Sequence, residues 1–346
     1  MVEKKIIYIR KEKINNEYRT PLIPCHVKIL VNHGFIIYIQ NSIERVYNND
    51  QYIENGCIIT NKEWYDLLFK DAIIIGIKEL KDLDKLSNHV HIYFSHTLKH
   101  QFNSENILTR FINSNSKLYD FEYILDDNKK RIIAFGYYSG LVGAILGLKQ
   151  YYNKINNIDS LSNLKPWLSF DNMINYVKYT LINDAKIAII GANGRCGSGV
   201  RFILDYLKLE YTIIDRNYDI TKLIEFDIVY NCILLDENYN KVWFDKNTKF
   251  KKNIVISDIS CDYSSSNNPI QLYNKSTNWI EPISKYNQFV DIIAIDNLPS
   301  LLPRESSNFF SEKLLNLLLD FNSDNNNYWN NCINIYYENS YKYKNI

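Results

Sequence analysis

Short apolar runs alternate with polar or helical stretches along the whole chain. In the first third, this pattern predicts strands at residues 5–10, 35–40, 72–77 and 91–95, and a helix at 24–33 closed by Gly34. Further strands are predicted at residues 187–190, 211–214, 228–234, 254–258 and 292–295. Strands separated by helices form parallel sheets, so we expect an α/β fold of two Rossmann-like domains with doubly wound sheets. Enzymes of this kind keep their chemistry in the cleft between the domains.

The uncharged stretch at residues 132–148 could in principle be a membrane-spanning segment. It has 17 residues, fewer than the roughly 20 that span a bilayer, and it contains four glycines and two tyrosines. We interpret it as a buried strand that runs into a buried helix lying between the domains. The apolar tail at residues 314–321 is predicted to be a helix that returns to the first domain. The expected domains are therefore 1–133 with 312–346, and 134–311.

Charge and cysteine usage narrow the class of partner. The 346 residues include 40 basic and 39 acidic side chains, which excludes a polyanion binder recognised by bulk charge. We therefore expect small-molecule partners, and neither nucleic acid nor membrane. Six cysteines without CxxC spacing predict reduced thiols, a cytoplasmic location and no metal site. The sequence leaves the oligomeric state open, and a monomer is the form we expect.

Glycine is scarce, with 11 residues, so its clustering in KIAIIGANGRCGSG is informative. A strand, a glycine turn and a predicted helix at 195–207 follow in that order, and the next strand ends at Asp215. This arrangement binds dinucleotides: the turn and helix N-terminus accept the pyrophosphate, and the acid accepts the ribose hydroxyls. Asp215 favours NAD, although Arg216 keeps NADP open. The spacing is GxxGxxG and not GxGxxG, and the alternative is a βαβ unit whose glycines only pack the helix on the sheet.

Ionisable side chains follow two strands of the first domain. Lys78 and Glu79 come after the strand at 72–77, and His96 and Lys99 after the strand at 91–95. Strand ends hold side chains at fixed positions, and lysine or histidine there can transfer protons. Arginine is rare, and Arg19 and Arg131 are predicted to bind an anionic substrate. The alternative for each of these residues is an ordinary solvated or salt-bridged surface group.

The chain resembles the NAD-dependent, lysine-forming saccharopine dehydrogenase family, which is related in fold to alanine dehydrogenase. The resemblance covers most of the chain and is based on EYRTPLIP, IIIGIKEL, HIYFSHTLKHQ, LYDFEYI, RIIAFGYYSGLVGAILG, IIGANGRCGSG, NCI and IDNLPSLLPRESSNFFS. It implies oxidative deamination of saccharopine to lysine and 2-oxoglutarate, in lysine biosynthesis, with NAD as cofactor. The first domain would then hold the substrate and the second the cofactor.

The resemblance also implies roles for individual residues. Lys78 and His96 would be the acid/base pair, and Glu79 and Glu122 would tune their charge. The substrate would be held by Arg19, Lys99, Gln101, Arg131, Phe135, Ser260 and Asp262. The cofactor-binding site would be lined by Gly191, Gly194, Arg195, Cys196, Gly197, Asp215, Ile259, Ile295, Asp296, Asn297 and Leu298.

Three positions depart from the family pattern. Asn297 replaces a usual histidine, Lys130 a common arginine and Leu234 an aromatic residue, so weaker NAD affinity is expected. Two other functions stay open at this point: another amino-acid dehydrogenase of the alanine dehydrogenase type, and a non-catalytic dinucleotide sensor. A redox pair of Cys196 and Cys232 is a side hypothesis.

Overall fold

A computed structural model describes residues 5–66, 72–81, 84–99, 104–235, 239–265, 267–321 and 327–341. The chain forms two compact units, Met1–Ala134 with Pro303–Ile346, and Phe135–Leu302. The first boundary lies one residue from the predicted one. The second differs, because a predicted boundary after residue 311 would cut a continuous helix, Pro303–Leu319, which belongs to the first unit.

Nine of the described strands coincide with predicted runs, most of them over shorter or shifted ranges, whereas Ile58–Thr60, Lys117–Asp120 and Ser284–Lys285 were not predicted as strands. The strands are β1 Ile6–Ile9, β2 Ile36–Gln40, β3 Ile58–Thr60, β4 Ile73–Ile75, β5 Val90–Tyr93, β6 Lys117–Asp120, β7 Ile187–Ile190, β8 Thr212–Ile214, β9 Ile228–Asn231, β10 Ile254–Asp258, β11 Ser284–Lys285 and β12 Val290–Ile293. The helices are α1 Pro24–Asn32, α2 Asn49–Ile53, α3 Ser104–Asn113, α4 Gly136–Ile155, α5 Phe170–Val177, α6 Arg195–Tyr206, α7 Pro303–Leu319 and α8 Asn327–Tyr341.

The first unit is built on a six-stranded sheet in the order β3-β2-β1-β4-β5-β6. Every strand pair in it is parallel, with Ile7 of β1 opposite Ile37 on one side and Ile73 on the other. Isoleucine-rich strands suit a sheet that is buried on both faces. The chain builds outward from β1 to β3, then crosses to β4 on the other side of β1. The strand order therefore reverses between β1 and β4, and α/β ligand sites lie beside such a reversal.

The carboxyl-terminal segment, including the apolar tail, belongs to the first unit. Ser311 of α7 bonds the backbone N–H of Ile23 at 2.9 Å and the Nδ1 atom of His26 at 2.8 Å, which fixes α7 to α1. Helix α8 was not predicted, because its apolar residues are spaced among many asparagines. Its buried side chains Trp329, Cys332, Ile333 and Tyr336 nevertheless recur at helical spacing.

The second unit contains a six-stranded sheet in the order β11-β12-β10-β9-β7-β8. Five strands are parallel, and the short edge strand β11 is antiparallel to β12. The order reverses between β7 and β9, so this sheet also has a switch point. Together the two sheets confirm the expected α/β class with two Rossmann-like domains.

Within the uncharged stretch at 132–148, the predicted helix is present but the strand predicted to precede that helix is not. Residues 124–132 make a turn instead, in which Leu125 bridges Arg131 and the N–H of Ile132 donates to the carbonyl of Ile124 at 2.9 Å. The apolar residues after this turn are buried by packing without strand pairing. Helix α4 then begins at Gly136 and is buried through most of its length. Among the described residues, no helix is both long and apolar enough to cross a bilayer.

Candidate functional site

Polar residues of the first unit gather where three neighbouring strands end. Lys78 and Glu79 follow β4, His96 follows β5 and Glu122 follows β6. Strands β4, β5 and β6 are parallel and adjacent, so their carboxyl ends meet at one edge of the sheet. The sheet register thus brings together side chains that the sequence separates.

His96 lies between two carboxylates. Its Nε2 atom is 3.8 Å from Oε1 of Glu79, and its Nδ1 atom is 3.8 Å from Oε1 of Glu122. Glu122 is buried and also pairs with Arg131, whose Nη1 atom lies 3.1 Å from the same Oε1. A carboxylate therefore faces each ring nitrogen, and a proton on either one has a nearby partner. This arrangement suits an imidazole that gains and loses protons during a reaction.

The backbone of His96 is held in an uncommon conformation, with φ of +54°. Asp120 fixes its surroundings: its Oδ2 accepts from the Ser95 hydroxyl at 2.6 Å, and its Oδ1 accepts from the Glu122 N–H at 2.9 Å. The Ser95 hydroxyl oxygen in turn accepts from the Thr97 N–H at 3.1 Å. Burial raises the pKa of the Asp120 carboxyl. Asp120 was not among the predicted site residues, although it belongs to the motif LYDFEYI.

Arg19 forms a buried two-pronged ion pair with Glu17. Nε of Arg19 lies 2.7 Å from Oε1 of Glu17, and Nη2 lies 2.5 Å from Oε2. Burial alone raises the pKa of Glu17, but the Arg19 charge and its hydrogen bonds, helped by the charge of Lys78, leave that pKa below its usual value. Glu17 thus connects Arg19 electrostatically to Lys78. Glu17 was not among the predicted site residues, although it lies two residues before Arg19.

The other predicted substrate contacts are distributed over both units. Lys99 ends a short 3-10 helix, Thr97–Lys99, in the first unit, and Gln101 lies outside the described residues. Phe135 is buried and immediately precedes α4 in the second unit. The Ser260 hydroxyl donates to the Ile233 carbonyl at 2.5 Å, and Asp262 follows two residues later. Their contact with a substrate stays a prediction.

The glycine turn of the second unit is as tight as its sequence predicts. Gly191 has φ of +80°, and a Cβ there would lie 2.9 Å from the backbone of Cys232. The Gly194 N–H donates to the Gly191 carbonyl at 3.0 Å, and α6 begins with Arg195. A Cβ on Gly197 would overlap the Gly191 carbonyl oxygen. Small residues therefore keep the turn closed, and a helix N-terminus that directly follows such a turn suits an anion.

The remaining predicted cofactor residues lie at the same edge of the second sheet. Asp215 follows β8 directly and is exposed, and its Oδ1 accepts from the Asn217 N–H at 2.8 Å. Ile259 follows β10, and residues 295–298 follow β12. An exposed acid one strand away from a glycine turn fits the ribose and pyrophosphate of a dinucleotide. The residues present are thus compatible with the expected cofactor.

Asn297 and Leu234 depart from the family pattern in different ways. The side-chain oxygen of Asn297 accepts from the indole N–H of Trp279 at 2.9 Å, so Asn297 has a structural partner within the second unit. Leu234 is 79% exposed. The effect of either residue on NAD affinity stays a prediction.

Cys196 and Cys232 lie close together at the glycine turn. Burial, together with the neighbouring Cys196 thiol, raises the pKa of the Cys232 thiol. Their oxidation to a disulfide stays a hypothesis. Within the described ranges, no group of three or more His, Cys, Asp and Glu side chains is arranged to hold a metal ion.

Several known proteins are similar to this chain. Residues 8–142 match the model described as the alanine dehydrogenase/PNT N-terminal domain. The lysine-forming saccharopine dehydrogenase [NAD(+)] of Candida glabrata is 36% identical over 89% of this chain and 90% of its own length. The chain belongs to the lysine-forming saccharopine dehydrogenase family. A family member from Emericella nidulans is 33% identical over 92% of this chain and 93% of its own length.

A solved structure of L-alanine dehydrogenase shares the fold of this family member. It superposes with a TM-score of 0.69 at 14% identity, and the match covers 92% of this chain and 90% of the other. The family resemblance and the expected relation in fold to alanine dehydrogenase are both confirmed.

Proposed function

We propose that the protein catalyses the NAD-dependent oxidative cleavage of saccharopine to lysine and 2-oxoglutarate, with Lys78 and His96 transferring the protons. The observation that carries this proposal is that Lys78, Glu79, His96 and Glu122 follow three adjacent strands at one sheet edge. The chain is also 36% identical to an enzyme named for this reaction. The second unit supplies the glycine turn and acid that suit NAD.

Saccharopine is a secondary amine with three carboxylates, so its binding site needs several cations. Arg131 in the first unit and the predicted contacts Arg19 and Lys99 supply positive charge in a chain that is nearly neutral overall. Bidentate contacts of arginine to carboxylates would orient the substrate. Glu17 and Glu122, each paired with an arginine, would hold these guanidinium groups in place.

The chemistry begins with removal of the proton from the substrate amine. The amine needs its lone pair to assist C–H cleavage, and Nζ of Lys78, as a neutral base, would accept the proton. NAD, when bound, supplies the oxidant that takes a hydride from the substrate carbon. The Lys78 ammonium then carries one proton that it can return later in the cycle.

The second stage is hydrolysis of the imine. His96 would accept a proton from the attacking water, forming a carbinolamine, and would donate a proton to the leaving lysine nitrogen. The C–N bond would then break as the carbinolamine hydroxyl gives its proton to the imidazole, now neutral again, and the carbonyl of 2-oxoglutarate forms. The carboxylates of Glu79 and Glu122 face the two ring nitrogens that would exchange these protons.

Consumption of NADH in the reverse direction tests the proposal. We expect NADH oxidation when lysine and 2-oxoglutarate are supplied together, and none with either alone. NADH oxidation with pyruvate and ammonia in place of that pair would indicate an alanine dehydrogenase. Tight NADH binding without turnover of any substrate pair would indicate a dinucleotide sensor and contradict the proposal.

A further inference from the structure

Two side chains that follow β1 grip the backbone that carries Lys78. Oε1 of Glu12 accepts from the N–H of Ile77 at 2.7 Å, and Oε2 accepts from the N–H of Lys78 at 3.0 Å. A guanidinium nitrogen of Arg10 donates to the carbonyl oxygen of Lys78. Both backbone polar groups of Lys78 are therefore bound by side chains 66 and 68 positions earlier in the chain.

Arg10 and Glu12 are themselves held in place. Nη1 of Arg10 lies 3.3 Å from Oε2 of Glu12, and their side chains are only 3% and 5% exposed. The guanidinium lies 5.6 Å from the ring centre of Tyr93 and fills the space where Gly76 lacks a side chain, since a Cβ there would overlap it. A buried ion pair with aromatic and backbone neighbours on several sides is a rigid support.

The position of Arg10 and Glu12 in the fold explains why side chains, and not a neighbouring strand, bind the backbone of Ile77 and Lys78. Strands β1 and β4 are adjacent at the reversal of the sheet order, and the last backbone bond between them joins the Arg10 N–H to the Ile75 carbonyl at 3.0 Å. Beyond this point Ile77 and Lys78 have N–H groups on the β1 side but no strand to accept them. Buried N–H groups require acceptors, and the Glu12 carboxylate provides both.

We propose that Arg10 and Glu12 are positioning residues for Lys78, acting through its backbone to fix the direction of its side chain. The inference depends on the proposed function only through the assignment of Lys78 as the base. A base that is misplaced by about 1 Å can cost about a hundredfold in rate. Loosening the backbone of Lys78 should therefore lower kcat while leaving the second unit and its cofactor site intact.

Glu12→Gln is the decisive variant, because glutamine keeps the size of the side chain but replaces one acceptor oxygen with an NH₂ group that faces an N–H donor. Glu44→Gln is the matched control. Glu44 is an exposed carboxylate that, like Glu12, lines a surface pocket of about 470 Å³. We expect Glu12→Gln to lower kcat about tenfold or more. The control should keep the wild-type kcat, and both variants should keep wild-type NADH affinity.

A double variant separates positioning from general structural damage. If Glu12 acts through Lys78, Glu12→Gln should lower kcat in the wild-type background but not further in Lys78→Met. Hydrogen exchange should be compared between the folded wild type and the folded variants. The Ile77 and Lys78 amides should exchange faster in Glu12→Gln than in the wild type, and at the wild-type rate in Glu44→Gln. Arg10→Lys, which loses the planar contact to the Lys78 carbonyl, serves as the second variant if Glu12→Gln does not fold.

The outcomes are distinguishable from failure of the proposed function. Wild-type kcat in Glu12→Gln, or in Arg10→Lys when that variant is used, overturns the positioning role if Lys78→Met is inactive. An equal further loss of kcat in the double variant also overturns it, because the effect would then not pass through Lys78. If Lys78→Met itself keeps normal turnover, the assignment of Lys78 as the base is wrong, and the positioning role is wrong with it. If amide exchange at Ile77 and Lys78 is unchanged in Glu12→Gln, only the proposed action of Glu12 through these backbone N–H groups is rejected.

Discussion

The backbone carbonyl of Cys196 occupies the space where a Cβ of Gly140 would stand. The reciprocal relation holds at Gly199, where a Cβ would overlap the carbonyl oxygen of Tyr137. Helices α4 and α6 therefore approach each other backbone to backbone. The first turn of α6, which follows the glycine turn, packs directly against α4. Gly140 of α4 and Gly199 of α6 thus allow the close packing of these two helices.

Gly140→Ala should destabilise the second unit by about 1–3 kcal/mol, because the added methyl group must displace backbone and not a flexible side chain. Urea unfolding measures this change. Gly136→Ala is the matched control on the same helix: its Cβ would lie 3.6 Å or more from its neighbours, an ordinary contact. Equal stability of the two variants would contradict the close approach of α4 and α6.

Lys78→Met and His96→Gln should each lower turnover by about 10² or more, because each removes a group proposed to transfer a proton. NADH titration by fluorescence should give wild-type affinity for both, since neither residue belongs to the second unit. Turnover near the wild-type value in either variant removes that residue from the proposed mechanism.

Asp215→Ala should weaken NADH binding about tenfold or more, since a carboxylate bonded to ribose hydroxyls makes charge-assisted hydrogen bonds. Calorimetric titration with NADH gives the affinity directly. Asp184→Ala removes an exposed carboxylate elsewhere in the same unit and should leave NADH affinity unchanged. Unaltered affinity in Asp215→Ala would mean that the ribose is held by other residues.

Glu17→Gln tests the buried pair with Arg19 through its pH dependence. The pKa of Glu17 is lowered in the folded state, so its ionised form contributes stability above the ordinary glutamate value of 4.5, and this contribution is lost as pH falls through the lower folded value. At neutral pH the variant should be less stable by about 3–5 kcal/mol, because Arg19 would be buried without its charged partner.

That difference in the free energy of unfolding should shrink as the pH falls below 4.5. Urea unfolding at a series of pH values measures it, and Glu44→Gln, which removes an exposed carboxylate, should show no such convergence. A stability difference that does not change with pH would indicate a packing effect and not the ion pair.

Thiol reactivity should follow burial. Cys25 is exposed, whereas Cys57 is buried and burial raises its pKa to about 12. Burial also raises the pKa of Cys232 and Cys332, so few thiolates form at these positions near neutral pH. We expect iodoacetamide to modify Cys25 first in the folded protein, as peptide mapping will show, and all six cysteines in urea. Early modification of Cys57 or Cys332 in the native protein would contradict the described burial.

Local sequence patterns identified most of the strands and the glycine turn. The runs at residues 187–190 and 254–258 match β7 and β10 residue for residue, because isoleucine-rich segments between polar stretches have few other ways to be buried. The strand predicted at the start of the uncharged stretch 132–148 is absent, since apolar composition alone does not distinguish a strand from a buried irregular segment. Helix α8 was missed for the opposite reason, because its helical spacing of apolar residues is diluted by asparagine.

The sequence by itself determined which residue types the chain can use for chemistry, since Lys78, His96 and the glycine turn belong to motifs that can be recognised locally. The resemblance also pointed to Glu79 and Glu122, whereas only the tertiary structure showed the contacts of Glu12 and Glu17. Glu12 and Glu17 lie in the polar segment RKEKINNEYR, where no periodicity distinguishes them from surface charges. Parallel pairing of β1 with β4 places Glu12 against the N–H of Lys78, and burial with Arg19 gives Glu17 its lowered pKa. Contacts between residues so far apart in sequence depend on strand order and register, which no local pattern encodes.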